Sequence, residues 1–143
     1  MTEVIVSESK EGIYAQNIKI GEHVITVDEP KDKGGNDLGP SPYELLLASL
    51  GACTSITLRM YANFKNIPLE KIIVSLTHEK AYVEDCKNCT NENSKIDHVQ
   101  RVIELQGDLN PEQLAKLIDV ANKCPVHRTL TSGISITTKL REQ

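Results

Sequence analysis

Ser41-Pro42-Tyr43-Glu44-Leu45-Leu46-Leu47-Ala48-Ser49-Leu50-Gly51-Ala52-Cys53-Thr54-Ser55-Ile56-Thr57-Leu58-Arg59-Met60-Tyr61-Ala62-Asn63 is the stretch on which the fold turns. Ser41 reads as a helix N-cap. Pro42 fits the first helical position, where no N–H is needed, and Glu44 completes a capping box with Ser41. The helix is expected from Pro42 to about Asn63, ending ahead of Ile67-Pro68. Leu45, Leu46, Leu47, Leu50, Ala52, Ile56, Leu58, Met60 and Ala62 put apolar groups nearly all round it. A helix with that distribution is expected to be buried on most sides and to be the central helix of the fold.

On its N-terminal side, residues 28–41 carry three Gly and two Pro and have no period. A loop of that length inside a small domain is usually functional or disordered. Gly34-Gly35 completes no phosphate-binding fingerprint. Residues 2–7 and 12–27 read as strands of an N-terminal meander, with β-branched residues and a turn signal at Glu11-Gly12. On the C-terminal side, residues 70–84 alternate with Ile72, Val74 and Leu76 on one face, and residues 95–106 with Val99, Ile103 and Leu105. These two runs make a long hairpin closed by a polar tip and ended at Gly107. Asn110-Pro111 opens a second helix that runs through Lys123. Pro125 then suggests a short third helix with Cys124 at its N-cap, ended at Ser132-Gly133, and Ile134-Ser135-Ile136-Thr137 reads as a final strand. The order is meander, helix, hairpin, helix, strand, which is an α+β fold in a single domain over 1–143.

The composition narrows the function. The chain has 143 residues, 39% hydrophobic and 25% charged, as in a globular domain. With no Trp, one Phe, four Tyr and a net charge of −4, it lacks stacking platforms and a basic groove, so nucleic acid is not an expected partner. No uninterrupted apolar run suits a membrane span, and Met1-Thr2-Glu3-Val4 does not open a signal peptide. A cytoplasmic location is expected, where four Cys are more often catalytic, metal-binding or inert than disulfide-bonded.

The cysteines differ in what could activate them. Cys124 at a helix N-cap would face unpaired backbone N–H groups and the positive end of the helix dipole, both of which lower a thiol pKa. His127 and Arg128 follow at three and four residues and could return to its side, or simply form a solvated helix end. Cys53 at mid-helix gets no such help, and a free Cys there is often only a small core hydrophobe. Arg59 lies about 120° round the helix from Cys53 and points elsewhere. Arg101 stands on the apolar face of its strand between Val99 and Ile103, and a strand edge or bulge is the ordinary explanation. The capping box already accounts for Glu44, which faces away from Cys53. Cys86-Lys87-Asn88-Cys89 is a lone C-x-x-C; a zinc site would need two more ligands. His78 and His98 could face each other across the hairpin, but His78 would lie ~26 Å along the strand from Cys86. Exposed free thiols are the default for Cys86 and Cys89, and no metal is expected.

Two blocks carry a family resemblance: Asp28-Glu29-Pro30, Gly34-Gly35, Asp37 and Gly39 through Thr54; and Cys124-Pro125-Val126-His127-Arg128-Thr129-Leu130. Together they resemble the OsmC family of osmotically inducible and organic hydroperoxide resistance proteins, closest to a less characterised branch. The resemblance implies an intertwined homodimer, with two long central helices enclosed by β-sheets. It also implies a thiol-dependent peroxidase for organic hydroperoxides. The residue matching Cys53 attacks the peroxide and becomes a sulfenic acid; the one matching Cys124 resolves it as a disulfide. A dithiol such as a dihydrolipoyl group restores both, and no cofactor is implied. Leu46, Leu50, Ile56, Thr57 and Met60 would line an aliphatic substrate pocket.

The sequence departs from the peroxidase pattern in two places. Those enzymes poise the reactive Cys with an Arg in the N-terminal half and a Glu near the helix start. Here no Arg precedes Arg59, and Tyr43 stands at the Glu position with Glu44 one residue displaced. Lys19, Arg101 and Arg128 are the candidates for a replacement cation. The missing pair also motivates an alternative: a non-catalytic redox-sensing or small-ligand-binding protein.

Overall fold

The helix that starts at Ser41 forms in the computed structural model, which describes residues 2–82 and 95–142. It is α1, Pro42–Phe64. Its capping box closes as expected: the Ser41 N–H donates to Glu44 Oε1 at 3.0 Å and the Glu44 N–H to Ser41 Oγ at 3.3 Å. Two compact units make up the chain, Met1–Ala48 and Ser49–Gln143, and α1 begins in the first and continues in the second.

The first unit holds β1 (Val4–Glu8), β2 (Gln16–Ile20) and β3 (His23–Val27) in an antiparallel sheet of order β1-β2-β3, the expected meander. Val6 pairs with Ile18 and Ile18 with Ile25. The run read as strand over 12–27 is divided, because Gly21 adopts φ +59 and turns the chain between β2 and β3. The loop after β3 is built around Asp28, which is buried. Its carboxylate accepts N–H bonds from Glu29 at 2.7 Å, Asn36 at 3.1 Å and Leu38 at 3.2 Å. A short 3-10 turn, Lys31–Lys33, lies inside this latch. Gly35 is required there, since a Cβ would meet the Glu29 carbonyl oxygen at 2.0 Å.

The second unit positions the cysteines. The strands β4 (Leu69–Tyr82) and β5 (Lys95–Gly107) form the expected antiparallel hairpin. The helices α2 (Pro111–Ala121) and α3 (Pro125–Ser132) follow. Asn110 caps α2 with a full capping box, its side chain accepting from the Gln113 N–H at 2.8 Å. Leu58, Ala62, Leu69, Leu117, Val120 and Ala121 form the core, where α1, the hairpin and α2 converge. Gly51 lets α1 lie close to β4: a Cβ there would stand 2.7 Å from Leu76 Cδ1.

Three expectations are corrected. The C-terminal run Ile134–Thr137 is not a strand; it pairs with no strand among the described residues, and Ile134, Ile136 and Leu140 are exposed. The central helix is covered along one face only, through Leu50, Gly51, Thr54, Leu58 and Ala62, while Ile56, Met60 and Phe64 are more than half exposed. One hairpin and one short helix are too few to wrap a helix that is apolar all round. His78 and His98 do not face each other. The register sets His78 opposite Val99 and Glu79 opposite His98, and His78 Nε2 instead bonds Asp97 Oδ1 at 2.8 Å. Apart from these, α1 is long and apolar enough to cross a membrane by length and composition, its most apolar 18-residue window having mean hydropathy 1.3, a test that core helices of soluble proteins also meet. Cys86, Cys89 and the hairpin tip lie outside the described residues.

Candidate active site

α1, β5 and the turn into α3 bring the side chains of Cys53, Thr54 and Arg101 and the His127 backbone N–H to Cys124. Pro125 opens α3 and fixes Cys124 in extended backbone at its N-cap, as the sequence suggested. Cys124 is fully buried. Its Sγ accepts the His127 N–H at 3.3 Å and lies 3.8 Å from Thr54 Oγ1. The Cys53 thiol, on α1, is near enough to help hold the Cys124 pKa down. Cys53 itself is half-buried, so it is the more accessible of the two sulfurs.

Arg101 supplies the positive charge. It faces Leu76 across the hairpin, on the same side of β5 as Ile103 and Leu105, and so looks toward α1 where Gly51 allows the close approach. An apolar position cannot hold a bare guanidinium. Arg101 is instead bonded at three points: Nη1 donates to Thr54 Oγ1 at 3.0 Å, and Nη2 to Asn122 Oδ1 at 3.0 Å and His127 Nδ1 at 3.1 Å. The edge-or-bulge explanation of Arg101 gives way to this cluster.

The donors and acceptors fix two protonation states. Arg has donors only. His127 Nδ1 must therefore carry a lone pair, which makes the ring neutral with its proton on Nε2. Burial, with the nearby Arg101 charge, holds the His127 pKa below its ordinary value, in agreement. Thr54 donates its single hydroxyl proton to the Leu50 carbonyl at 2.6 Å, the back-bond common for Thr inside a helix, and accepts from Arg101. Burial opposes ionisation of Cys124. The His127 N–H, the Cys53 thiol and the Arg101 charge outweigh it, so the Cys124 thiol titrates below the ordinary thiol range.

Of the residues singled out from sequence, Cys53, Cys124, Arg101 and His127 converge. Arg128 does not join them: it is exposed and gives only its backbone N–H, to the Cys124 carbonyl. Glu44 closes the cap of α1, and Lys19 is exposed on β2. Arg59 donates to the Leu69 and Glu70 carbonyls, as its angle on the helix implied. The expected pocket residues are scattered in exposure. Leu50 is buried, Thr57 half-buried, and Leu46, Ile56 and Met60 are exposed. Ile56 and Met60 line an open groove of about 500 Å³ with Ser55, Arg59, Glu70, Lys71 and Ile72. Among the described residues no group of three or more His, Cys, Asp or Glu could hold a metal ion.

Thr54 and Asn122 were not singled out from the sequence. Thr54 left one signal, a hydroxyl inside an apolar helix beside Cys53. Asn122 left none, since an Asn after a helix is ordinary.

A family model described as OsmC-like protein matches residues 34–139, which contain all of these residues. The chain belongs to the OsmC-like family. Solved structures similar to this OsmC-like protein include an OsmC-like protein from Mycoplasma pneumoniae, 22% identical with a TM-score of 0.72, covering 91% of this chain and 86% of that one. An organic hydroperoxide resistance protein OsmC from Legionella pneumophila is 19% identical with a TM-score of 0.66, covering 92% and 89%. The organic hydroperoxide resistance protein OhrB of Bacillus subtilis is 20% identical with a TM-score of 0.60, covering 90% and 88%. At these identities the likeness establishes the fold. No curated protein sequence matches the chain.

Proposed function

We propose that this OsmC-like protein is a two-cysteine peroxidase for organic hydroperoxides. The observation that carries the reading is that folding brings Cys124, next to Thr54 of α1, beside Cys53 of the same helix and the Arg101 cluster. The Cys53 sulfur forms a bond to the terminal peroxide oxygen, the O–O bond breaks, and the alcohol leaves. Cys53 is then a sulfenic acid. Cys124 attacks its sulfur and expels water, closing the disulfide. A dithiol of the dihydrolipoyl type returns both thiols by exchange. The organic hydroperoxide resistance proteins that share the fold support the substrate class. A reducing, cytoplasmic setting suits the cycle.

The functional unit is read as a homodimer. Two features support this: the exposed stripe Ile56, Met60 and Phe64 on α1, and the exposed β-branched tail after Gly133. Each is apolar surface that a second copy of the chain would cover.

One equivalent of cumene hydroperoxide, followed by intact and peptide mass, tests the activity. The expected result is loss of two hydrogens mapped to Cys53 and Cys124, faster than with hydrogen peroxide. Cys53→Ser should abolish turnover, and Cys124→Ser should allow one turnover followed by over-oxidation. If the reduced protein stays unoxidised over minutes, the peroxidase reading is wrong and the non-catalytic, ligand-binding alternative takes its place.

A further inference from the structure

The three acceptors on Arg101 stand beside the two cysteines in the chain. Thr54 directly follows Cys53 on α1, Asn122 comes two residues before Cys124, and His127 three residues after it. We propose that Arg101 is a positioning residue for closure of the disulfide: its guanidinium pins the segment of α1 that carries Cys53 to the turn that carries Cys124, and so sets the approach of one sulfur to the other.

This role rests on the two-cysteine cycle proposed above and concerns its second step. There Cys124 attacks the sulfur of the Cys53 sulfenic acid, the S–O bond breaks, and hydroxide leaves as water with the proton of the Cys124 thiol. The step is sensitive to placement, because a disulfide needs its two Cβ atoms about 3.5–4.5 Å apart and a narrow range of torsion. It is also a race: until the disulfide closes, a second hydroperoxide can oxidise Cys53 to the sulfinic acid and leave as alcohol. Thr54 and Cys124 are 70 residues apart, so tertiary contacts fix how near their two segments lie.

Arg101 reaches both segments at once. Nη1 donates to Thr54 Oγ1 at 3.0 Å. Nη2 donates to the Cys124 turn on both sides of the sulfur, to Asn122 Oδ1 at 3.0 Å and to His127 Nδ1 at 3.1 Å. On the α1 side the Thr54 hydroxyl gives its proton to the Leu50 carbonyl, which turns a lone pair to the guanidinium and ties it to the helix backbone. On the other side the His127 N–H donates to Cys124 Sγ at 3.3 Å, and the Arg128 N–H to the Cys124 carbonyl at 3.1 Å. Holding His127 therefore holds the sulfur. With both ends tied, Thr54 Oγ1 and Cys124 Sγ lie 3.8 Å apart. A planar fork spans three acceptors in this way, whereas a Lys ammonium carries the same charge on a single point.

Closure can be timed without peroxide. The parent protein carries Cys86→Ser and Cys89→Ser, so that two thiols remain. One equivalent of dithiobis-nitrobenzoate converts the more accessible Cys53 to a mixed disulfide and releases one nitrothiolate. Cys124 then attacks the Cys53 sulfur and expels the second, a release that Cys124→Ser should lack. Its rate is read at the high-pH plateau, where Cys124 is wholly thiolate and a change in its pKa has no effect. Arg101→Gln should slow the plateau rate about tenfold, and Asn122→Ala, which leaves every charge in place, about threefold. Arg101→Lys should stay near Arg101→Gln. Melting curves show that each variant is folded, and the exposed Asn122 keeps the test open if the Arg101 variants are not. A plateau rate unchanged in folded Arg101→Gln or in Asn122→Ala overturns the role, and so does a parent rate in Arg101→Lys, since charge alone would then suffice. Oxidation by cumene hydroperoxide is scored separately. Slowed closure in variants of a protein that the hydroperoxide does not oxidise would sink the peroxidase reading and leave Arg101 in this role; oxidation with closure unchanged in the variants would do the reverse.

Discussion

Arg101 stands among apolar neighbours on β5, and three acceptors from three other parts of the chain decide its role. Thr54, Asn122 and His127 each take one of its N–H groups at 3.0–3.1 Å. The sequence marks the position as unusual, because charges are seldom set on an apolar strand face. It does not reveal the partners, which are 47, 21 and 26 residues away. Cys124 was more legible. Its N-cap role follows from the Pro after it, and the His127 N–H reaches it as that geometry requires. The neutrality of His127 has a direct test. His127→Asn keeps an acceptor near the position of Nδ1 and should leave disulfide formation by cumene hydroperoxide within about threefold. His127→Leu leaves one Arg101 donor unpaired and should slow it by about tenfold, or ~1.4 kcal/mol. Equal rates in the two variants would mean that the ring does not hold the guanidinium.

At the scale of elements, α1 and the hairpin lie close to their expected bounds because their signals are local: a capping box, a two-residue alternation and a stop at Gly107. The loop after β3 was only an aperiodic stretch from sequence. Its order comes from Asp28, whose carboxylate collects three backbone N–H groups. Burial raises the Asp28 pKa, but the bonds from Glu29, Leu38 and Asn36 prevail, and the net shift is downward. The native state therefore binds fewer protons than the unfolded chain just below the ordinary carboxylate pKa of about 3.9. Stability from this latch is fully present above that value and is lost as pH falls through the lower, folded one. Asp28→Asn should melt lower at pH 7 and lose less on acidification below about 4 than the wild type does. Parallel melting curves against pH for the two proteins would show that the latch contributes nothing.

At the scale of the whole molecule, the single chain leaves apolar surface that the helix pattern assigned to an interior. Ile56, Met60 and Phe64 are 57%, 68% and 78% exposed, so the expected burial of α1 is met on one side only. The proposed homodimer predicts light scattering at micromolar concentration at twice the chain mass of 15.8 kDa. Met60→Glu is harmless on an open face but buries an unpaired carboxylate in a dimer. It should weaken association by about 3 kcal/mol, roughly a hundredfold in dissociation constant. A wild-type protein at the single-chain mass would overturn the dimer.

By itself the sequence determined whatever depends on neighbours a few residues apart. It set where α1 and α3 begin, which strands alternate, and that Cys124 would stand at a helix N-terminus, because caps and periodicities act over one or two turns. The tertiary structure alone decided which cation serves the cysteines and which face of α1 is covered. It also decided that the β-branched tail after Gly133 pairs with no strand among the described residues. The charge of a guanidinium is written in the sequence. Its counter-ion depends on which groups folding brings within ~3–4 Å once water is excluded, and here Gly51 brings α1 close enough to the hairpin for Thr54 and Arg101 to meet.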